Sequence, residues 1–216
     1  MTRLIIARHA ETIWHAERRY TGSSDVSLTE RGELQAHTLG EWARCAALDS
    51  IWSSDLVRAR VTAHACEVST GLPVVVDERL RELDFGVGEG LSLAEIAESN
   101  PRDARNFVDD PAAFNFPEGE DPRSAASRFV ACLRDIALAY PSGRILIVAH
   151  GTISRLALCS LVGVPMSDYR RLFPVMMNCG LTELEFDEGS ASMITFNAPP
   201  VWLDGESGYE RRAAPR

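Results

Sequence analysis

Residues 4–9 read Leu-Ile-Ile-Ala-Arg-His, and residues 145–151 read Ile-Leu-Ile-Val-Ala-His-Gly. Each is a short unbroken apolar run that soon reaches a histidine. Runs of this kind mark strands buried on both faces, as in a parallel sheet covered by helices. Outward from them, strands and helices alternate. Residues 50–53 and 74–76 read as further strands. Helical patterns are expected over about 30–47, 56–69, 124–139 and 152–161, the first opened by a Ser27-x-x-Glu30 capping box and carrying an apolar stripe of Leu34, Leu39, Trp42 and Ala46. Residues 181–186 and 192–196 alternate around a turn near Gly189 and predict a closing hairpin. The pattern predicts an α/β fold, a three-layer sandwich whose mostly parallel central sheet carries helices on both faces. Residues from 92 to 122, broken by Pro101, Pro111, Pro117 and Pro122, read as short helices with a weak core pattern. They predict a small helical cap insertion around 91–122 within a single domain spanning 1–216.

Composition narrows the function classes. The 216 residues carry a net charge of −9, with 45% hydrophobic and 25% charged side chains. That is ordinary globular composition, and it argues against nucleic acid or a basic membrane-surface role. An anionic small molecule stays compatible, because a local arginine cluster can dominate one cleft. Cys45, Cys66, Cys132, Cys159 and Cys179 are dispersed, with no CxxC pair, and read as reduced thiols of a cytoplasmic protein. The apolar runs are too short for a signal peptide or a membrane span. The tail from roughly 207 to 216 is polar and is expected to fray. A homodimer is compatible with all of this.

In open α/β sheets, ligands sit at the carboxyl ends of the strands. Arg8-His9 and His150-Gly151 fall there, and neighbouring strands would turn both imidazoles into one crevice. Arg8, at the end of a buried strand, needs an anionic partner, either a protein carboxylate or a bound phosphate. Arg58 opens a predicted helix, where backbone N–H groups favour anions. Glu82 is flanked by Leu80 and Leu83, an apolar setting that raises a carboxyl pKa.

Together these residues resemble the histidine phosphatase superfamily, also called phosphoglycerate-mutase-like. The resemblance runs from Leu4 to about Phe196. Its central Arg-His-Gly-Glu-Thr motif stands here as Arg8-His9-Ala10-Glu11-Thr12. Thr21-Gly22 with Leu28-Thr29-Glu30-Arg31-Gly32 matches the next landmark, and Ser53-Ser54-Asp55-Leu56-Val57-Arg58-Ala59 with Thr62-Ala63 the third. Leu80-Arg81-Glu82 with Glu89-Gly90, and Val148-Ala149-His150-Gly151, complete the set in order. Three departures stand out. Ala10 replaces a glycine. His15 stands where many members have an asparagine touching phosphate. Pro117-Glu118-Gly119-Glu120-Asp121 only partly matches a Pro-Gly-Gly-Glu-Ser segment.

The resemblance implies a phosphatase acting on small phosphorylated metabolites, with no metal and no cofactor. His9 would attack phosphorus, kept unprotonated by the nearby arginines. Arg8 and Arg58 would clamp the phosphate oxygens, and His150 would donate to the developing charge. Glu82 would protonate the leaving oxygen and then activate water, with Glu89 in reserve. Substrate contacts are expected from His15, Thr21, Gly22, Gly151 and Thr152, and specificity from the cap with Arg19, Tyr20, Phe114 and Phe116. Three rivals are weighed: a phosphoglycerate mutase, a zinc hydrolase using His9, His150 and Glu82, and a non-catalytic phospho-ligand binder.

Overall fold

A computed structural model describes residues 1–187 and 190–201. The turn near Gly189 and the tail at 207–216 lie outside the described residues. In chain order the elements are β1 (Thr2–Arg8), α1 (Ile13–Ala16), α2 (Glu30–Cys45), β2 (Ser50–Ser53), α3 (Val57–Thr70) and β3 (Val74–Val76). They continue with α4 (Leu93–Ser99), α5 (Pro101–Asp109), α6 (Pro122–Ala139), β4 (Arg144–Ala149), α7 (Gly151–Val162), α8 (Tyr169–Leu172), β5 (Leu181–Asp187) and β6 (Ser190–Ala198).

The six strands form one sheet in the order β3-β2-β4-β1-β5-β6. The first four are parallel, β5 runs antiparallel to β1, and β6 runs antiparallel to β5. The apolar runs that opened the sequence reading are its two central strands. Side chains alternate across a strand, so each run supplies both faces. Leu4, Ile6, Ile145 and Ile147 pack on one side with residues of α6 and α7. Ile5, Ala7, Leu146 and Val148 pack on the other with residues of α2 and α3. This is the expected α/β sandwich.

Three local expectations are corrected. Helix α2 is capped by Thr29, whose hydroxyl accepts from the Gly32 amide at 3.0 Å. Ser27 does not cap it, because Leu28 is held extended in a bridge to Thr12. Leu34 is 68% exposed, while Ala36, Leu39, Trp42, Ala43 and Ala46 form the buried stripe. The segment around 91–122 also has a stronger core than its prolines suggested: Ile96, Ala104, Phe107, Ala112 and Phe116 all join the main core.

That packing decides the fate of the expected specificity residues. The Tyr20 ring lies 5.1 to 5.4 Å from Phe85, Phe107 and Phe116, an aromatic cluster that ties the segment to the body. Arg19 pairs with Glu17 and Glu95. Tyr20, Phe116 and Arg19 are therefore engaged in packing and ion pairs, and only Phe114 is exposed.

Candidate active site

Parallel pairing of β1 and β4 sets Arg8 opposite Ala149. His9 and His150 therefore leave adjacent strands side by side, with ring centroids 5.1 Å apart. The His9 amide donates to the Ala149 carbonyl at 2.8 Å, and Asn178 donates to the His9 carbonyl at 2.9 Å. His9 Nδ1 lies 2.7 Å from the carbonyl of Ala10. A carbonyl only accepts, so Nδ1 carries the proton and Nε2 keeps its lone pair. Burial, then His150, Arg58, Arg8 and His15, push the His9 pKa well below the usual imidazole range. The direction agrees with expectation, but burial outranks the arginines as its cause. His150 is fully buried and is shifted the same way, again first by burial.

The arginines are anchored from behind. Arg58 donates through Nη1 to Ser24 O at 2.7 Å and through Nη2 to Gly22 O at 2.7 Å and Thr21 O at 3.3 Å. Arg8 donates through Nη1 to Met176 O at 2.6 Å and through Nη2 to His15 Nε2. Gly151 allows Arg8 to come close, since a Cβ there would meet Arg8 Nε at 3.1 Å. Among the described residues, seven buried side-chain N or O atoms lack a hydrogen-bond partner. Four of them belong to this cluster: Arg8 Nε, Arg58 Nε, and both ring nitrogens of His150. Leaving a buried donor or acceptor unpaired costs about 1–3 kcal/mol, so four such atoms at one place point to a polar ligand.

His15 contacts Arg8 and Thr12. A guanidinium has no acceptor, so Nε2 of His15 accepts from Arg8, and its proton sits on Nδ1, 2.8 Å from Thr12 Oγ1. The Thr12 amide lies 3.1 Å from the same Nδ1. Only one of these contacts can hold, and the Arg8 contact selects the Nδ1–H form. Burial, then Arg8 and Arg58, push the His15 pKa down to about 3, so the ring is neutral near pH 7. Its centroid stands 5.2 Å from that of His9.

Glu82 is buried between fully buried Leu80 and Leu83, as the flanks suggested. Its oxygens, however, face amides and not an apolar wall. They accept from Leu83 N at 2.9 Å, Thr152 N at 2.9 Å and Ile153 N at 2.7 Å. The amides of Thr152 and Ile153 at the start of α7 thus seat Glu82. Thr21 and Gly22 present carbonyls to Arg58, and the Thr21 hydroxyl donates to Arg19 O.

Sequence reasoning missed two supports. Glu89, the reserve acid, accepts from the amides of Gly22, Ser23 and Ser24 and from the Ser24 hydroxyl. It braces the loop whose carbonyls hold Arg58. Arg128 on α6 donates to the carbonyls of Arg79, Arg81 and Glu82 and pairs twice with Glu120 at 2.7 Å. It fixes the backbone that carries Glu82. A polar hinge of this kind has no sequence period; only the run of charges at 78–84 hinted at it. Among the described residues, no group of three or more His, Cys, Asp or Glu side chains is arranged to hold a metal ion.

A family model described as histidine phosphatase superfamily (branch 1) matches residues 4–199. The chain belongs to the histidine phosphatase superfamily. A probable phosphoglycerate mutase GpmB of Citrobacter koseri is 36% identical over 189 residues, 87% of this chain and 86% of that protein. Among solved structures, Bacillus stearothermophilus YhfR superposes with a TM-score of 0.86 at 29% identity, covering 92% of this chain and 98% of that one. A mycobacterial glucosyl-3-phosphoglycerate phosphatase solved with VO3 gives 0.83 at 29%, covering 91% and 99%. Among the described residues, no helix of this member of the superfamily is long and apolar enough to cross a membrane.

Proposed function

We propose that this chain is a metal-independent phosphoric monoester hydrolase that passes the phosphoryl group through Nε2 of His9. The observation that carries the reading is the cluster of unpaired buried nitrogens on Arg8, Arg58 and His150, set around an imidazole whose Nε2 lone pair is free. A phosphate monoester carries close to two negative charges and several strong acceptors, which such a cluster suits.

In the first step, Nε2 of His9 forms a bond to phosphorus as the ester P–O bond breaks. Glu82 supplies the proton to the leaving oxygen. Arg8 and Arg58 neutralise the equatorial oxygens, and a ring N–H of His150 donates to the charge that develops there. In the second step, water attacks phospho-His9 while Glu82 takes its proton, and the N–P bond returns its electrons to Nε2. His15 holds Arg8 in place, while Thr21 and Gly22 hold Arg58. Gly151 and Thr152 shape the site through Arg8 and Glu82.

We read residues 1–216 as one domain with a cap around 91–122. The partner is a small phosphorylated metabolite and not nucleic acid or a membrane, in keeping with the net charge of −9. The five cysteines are all free and favour a cytoplasmic setting.

The test is release of phosphate from p-nitrophenyl phosphate with EDTA present. Wild-type protein is expected to turn over, and folded His9→Ala protein to be inactive. Activity retained by His9→Ala would refute the reading. A second reading, transfer to a hydroxyl instead of water, is favoured by the mutase name of the Citrobacter relative. Interconversion of phosphoglycerates with a bisphosphate primer would establish it.

A further inference from the structure

Arg8 and His9 lie where the sheet ends and the site begins, and their backbone is held from both sides. On the β4 side the His9 amide donates to Ala149 O at 2.8 Å. On the β5 side the regular ladder ends with Ala7 opposite Leu181. Past that point the segment 174–180, just ahead of β5, takes over. Gly180 O accepts from Arg8 N at 3.4 Å, and Cys179 N donates to Arg8 O at 2.8 Å. Asn178 Nδ2 donates to His9 O at 2.9 Å. Cys179 has a φ of 58°, in the left-handed region, so the chain turns there instead of extending β5. Asn197 on β6 pins the segment from behind. Its Oδ1 accepts from Met177 N at 2.8 Å, and its Nδ2 donates to Val175 O at 3.0 Å.

The peptide between His9 and Ala10 is gripped at both ends. Its carbonyl accepts from Asn178, and its N–H donates to Thr62 Oγ1 at 3.0 Å. Thr62 donates in turn to Arg58 O at 2.7 Å, which ties this peptide to the phosphate clamp. The next N–H, that of Glu11, donates to Gln35 Oε1 at 2.9 Å. A peptide is planar, so two fixed planes leave Ala10 O one position. That oxygen is the acceptor for Nδ1–H of His9 at 2.7 Å. The backbone planes therefore set both the direction of the imidazole and the nitrogen that keeps its lone pair.

We infer that Asn178 is a positioning residue for the nucleophile. Through the His9 carbonyl it holds the 9–10 peptide in the plane that presents Nε2 of His9 to phosphorus. This rests on the hydrolase reading above. A carbonyl only accepts, so the holder must bring an N–H, and an amide does so without adding charge beside the imidazoles. In-line attack is sensitive to alignment: a displacement of about 1 Å costs roughly 100-fold in rate.

Asn178→Ala removes the N–H, and Asn178→Asp sets oxygen against oxygen at the same size. In both, kcat for p-nitrophenyl phosphate is expected to fall by about 10- to 100-fold. Inhibition by inorganic phosphate should stay close to wild type, because Arg8, Arg58 and His150 remain. Asn197→Ala loosens the same segment from β6 and should lower kcat in the same direction by less. It carries the test if the Asn178 variants do not fold. ¹⁵N spectra of histidine-labelled protein read the positioning without turnover. Wild-type His9 is expected as the Nδ1–H tautomer alone, and folded Asn178→Ala protein as a mixture of tautomers at that residue. A chain that proved not to be a hydrolase would still show this change. The inference is overturned if folded Asn178→Ala protein keeps the wild-type His9 signals. It is overturned equally if kcat is unchanged in a chain that turns over, or if phosphate inhibition weakens as much as kcat falls.

Discussion

The imidazoles of His9 and His150 stand 5.1 Å apart because the strands they follow are paired in register, with Arg8 opposite Ala149. The backbone contact between His9 N and Ala149 O makes this spacing a property of the sheet rather than of side-chain rotamers. The proposed nucleophile and its partner imidazole are therefore placed by the two central strands of the sheet.

Glu82 is held by three amides, so its carboxylate is aimed before substrate arrives. Glu82→Gln keeps the shape but cannot exchange a proton. Turnover of an alkyl phosphate should fall by about 10²- to 10⁴-fold. The first step with p-nitrophenyl phosphate, whose leaving group needs no proton, should fall much less, as read by the burst of nitrophenol. Equal losses with the two substrates would remove Glu82 as the acid.

Glu89 acts on the phosphate clamp at one remove, through the 21–24 loop. Glu89→Ala should raise KM and cost about 1–3 kcal/mol of stability, since it leaves amides without an acceptor. Gly22→Ala should do the same: the added Cβ would meet Leu83 O at 2.4 Å and Glu89 Oε1 at 2.2 Å. Urea unfolding and substrate titration check both. An unchanged KM in both variants would contradict the brace.

Much of this was legible in the sequence, and the boundary has physical causes. The central strands declare themselves because burial on both faces needs unbroken apolar runs, and the histidines follow directly. Glu82 and Arg58 were found through the family motifs, yet their surroundings were misread. The backbone carbonyls around Arg58 and the amides around Glu82 come from segments far apart in the chain, and backbone groups leave no trace in side-chain identity. The brace by Glu89 and the tie by Arg128 stayed hidden for the same reason. The misplaced start of α2 followed from local pattern reading, which could not see the bridge between Thr12 and Leu28.

Arg128 links α6, the Glu82 loop and Glu120. Arg128→Gln should lower kcat more than it raises KM, because it releases the carbonyls of Arg79, Arg81 and Glu82. Arg128→Lys, which keeps the charge but loses the fork, should recover only part of the rate. Full recovery by lysine would mean that charge alone matters there.

Three imidazoles, those of buried His9 and His150 and of half-buried His15, have pKa values below the ordinary 6.5. In the window from about 6.5 down to about 3 for His15, the unfolded chain binds more protons than the folded one. Stability that these groups contribute above pH 6.5 is therefore lost as the pH falls below it. Each proton steepens the slope by about 1.4 kcal/mol per pH unit. Urea unfolding between about pH 7 and pH 5 should show this loss, and His15→Asn should flatten it by about one proton. An unchanged slope in that variant would show that His15 titrates normally.

The central claim is tested most directly by rapid acid-free quenching of the protein during turnover, followed by peptide mass mapping. One phosphoryl group is expected on the peptide that contains His9, labile to acid and stable to alkali, accumulating further in Glu82→Gln protein. A phosphoryl group found on any other residue, or none at all while phosphate is being released, would contradict nucleophilic attack by His9.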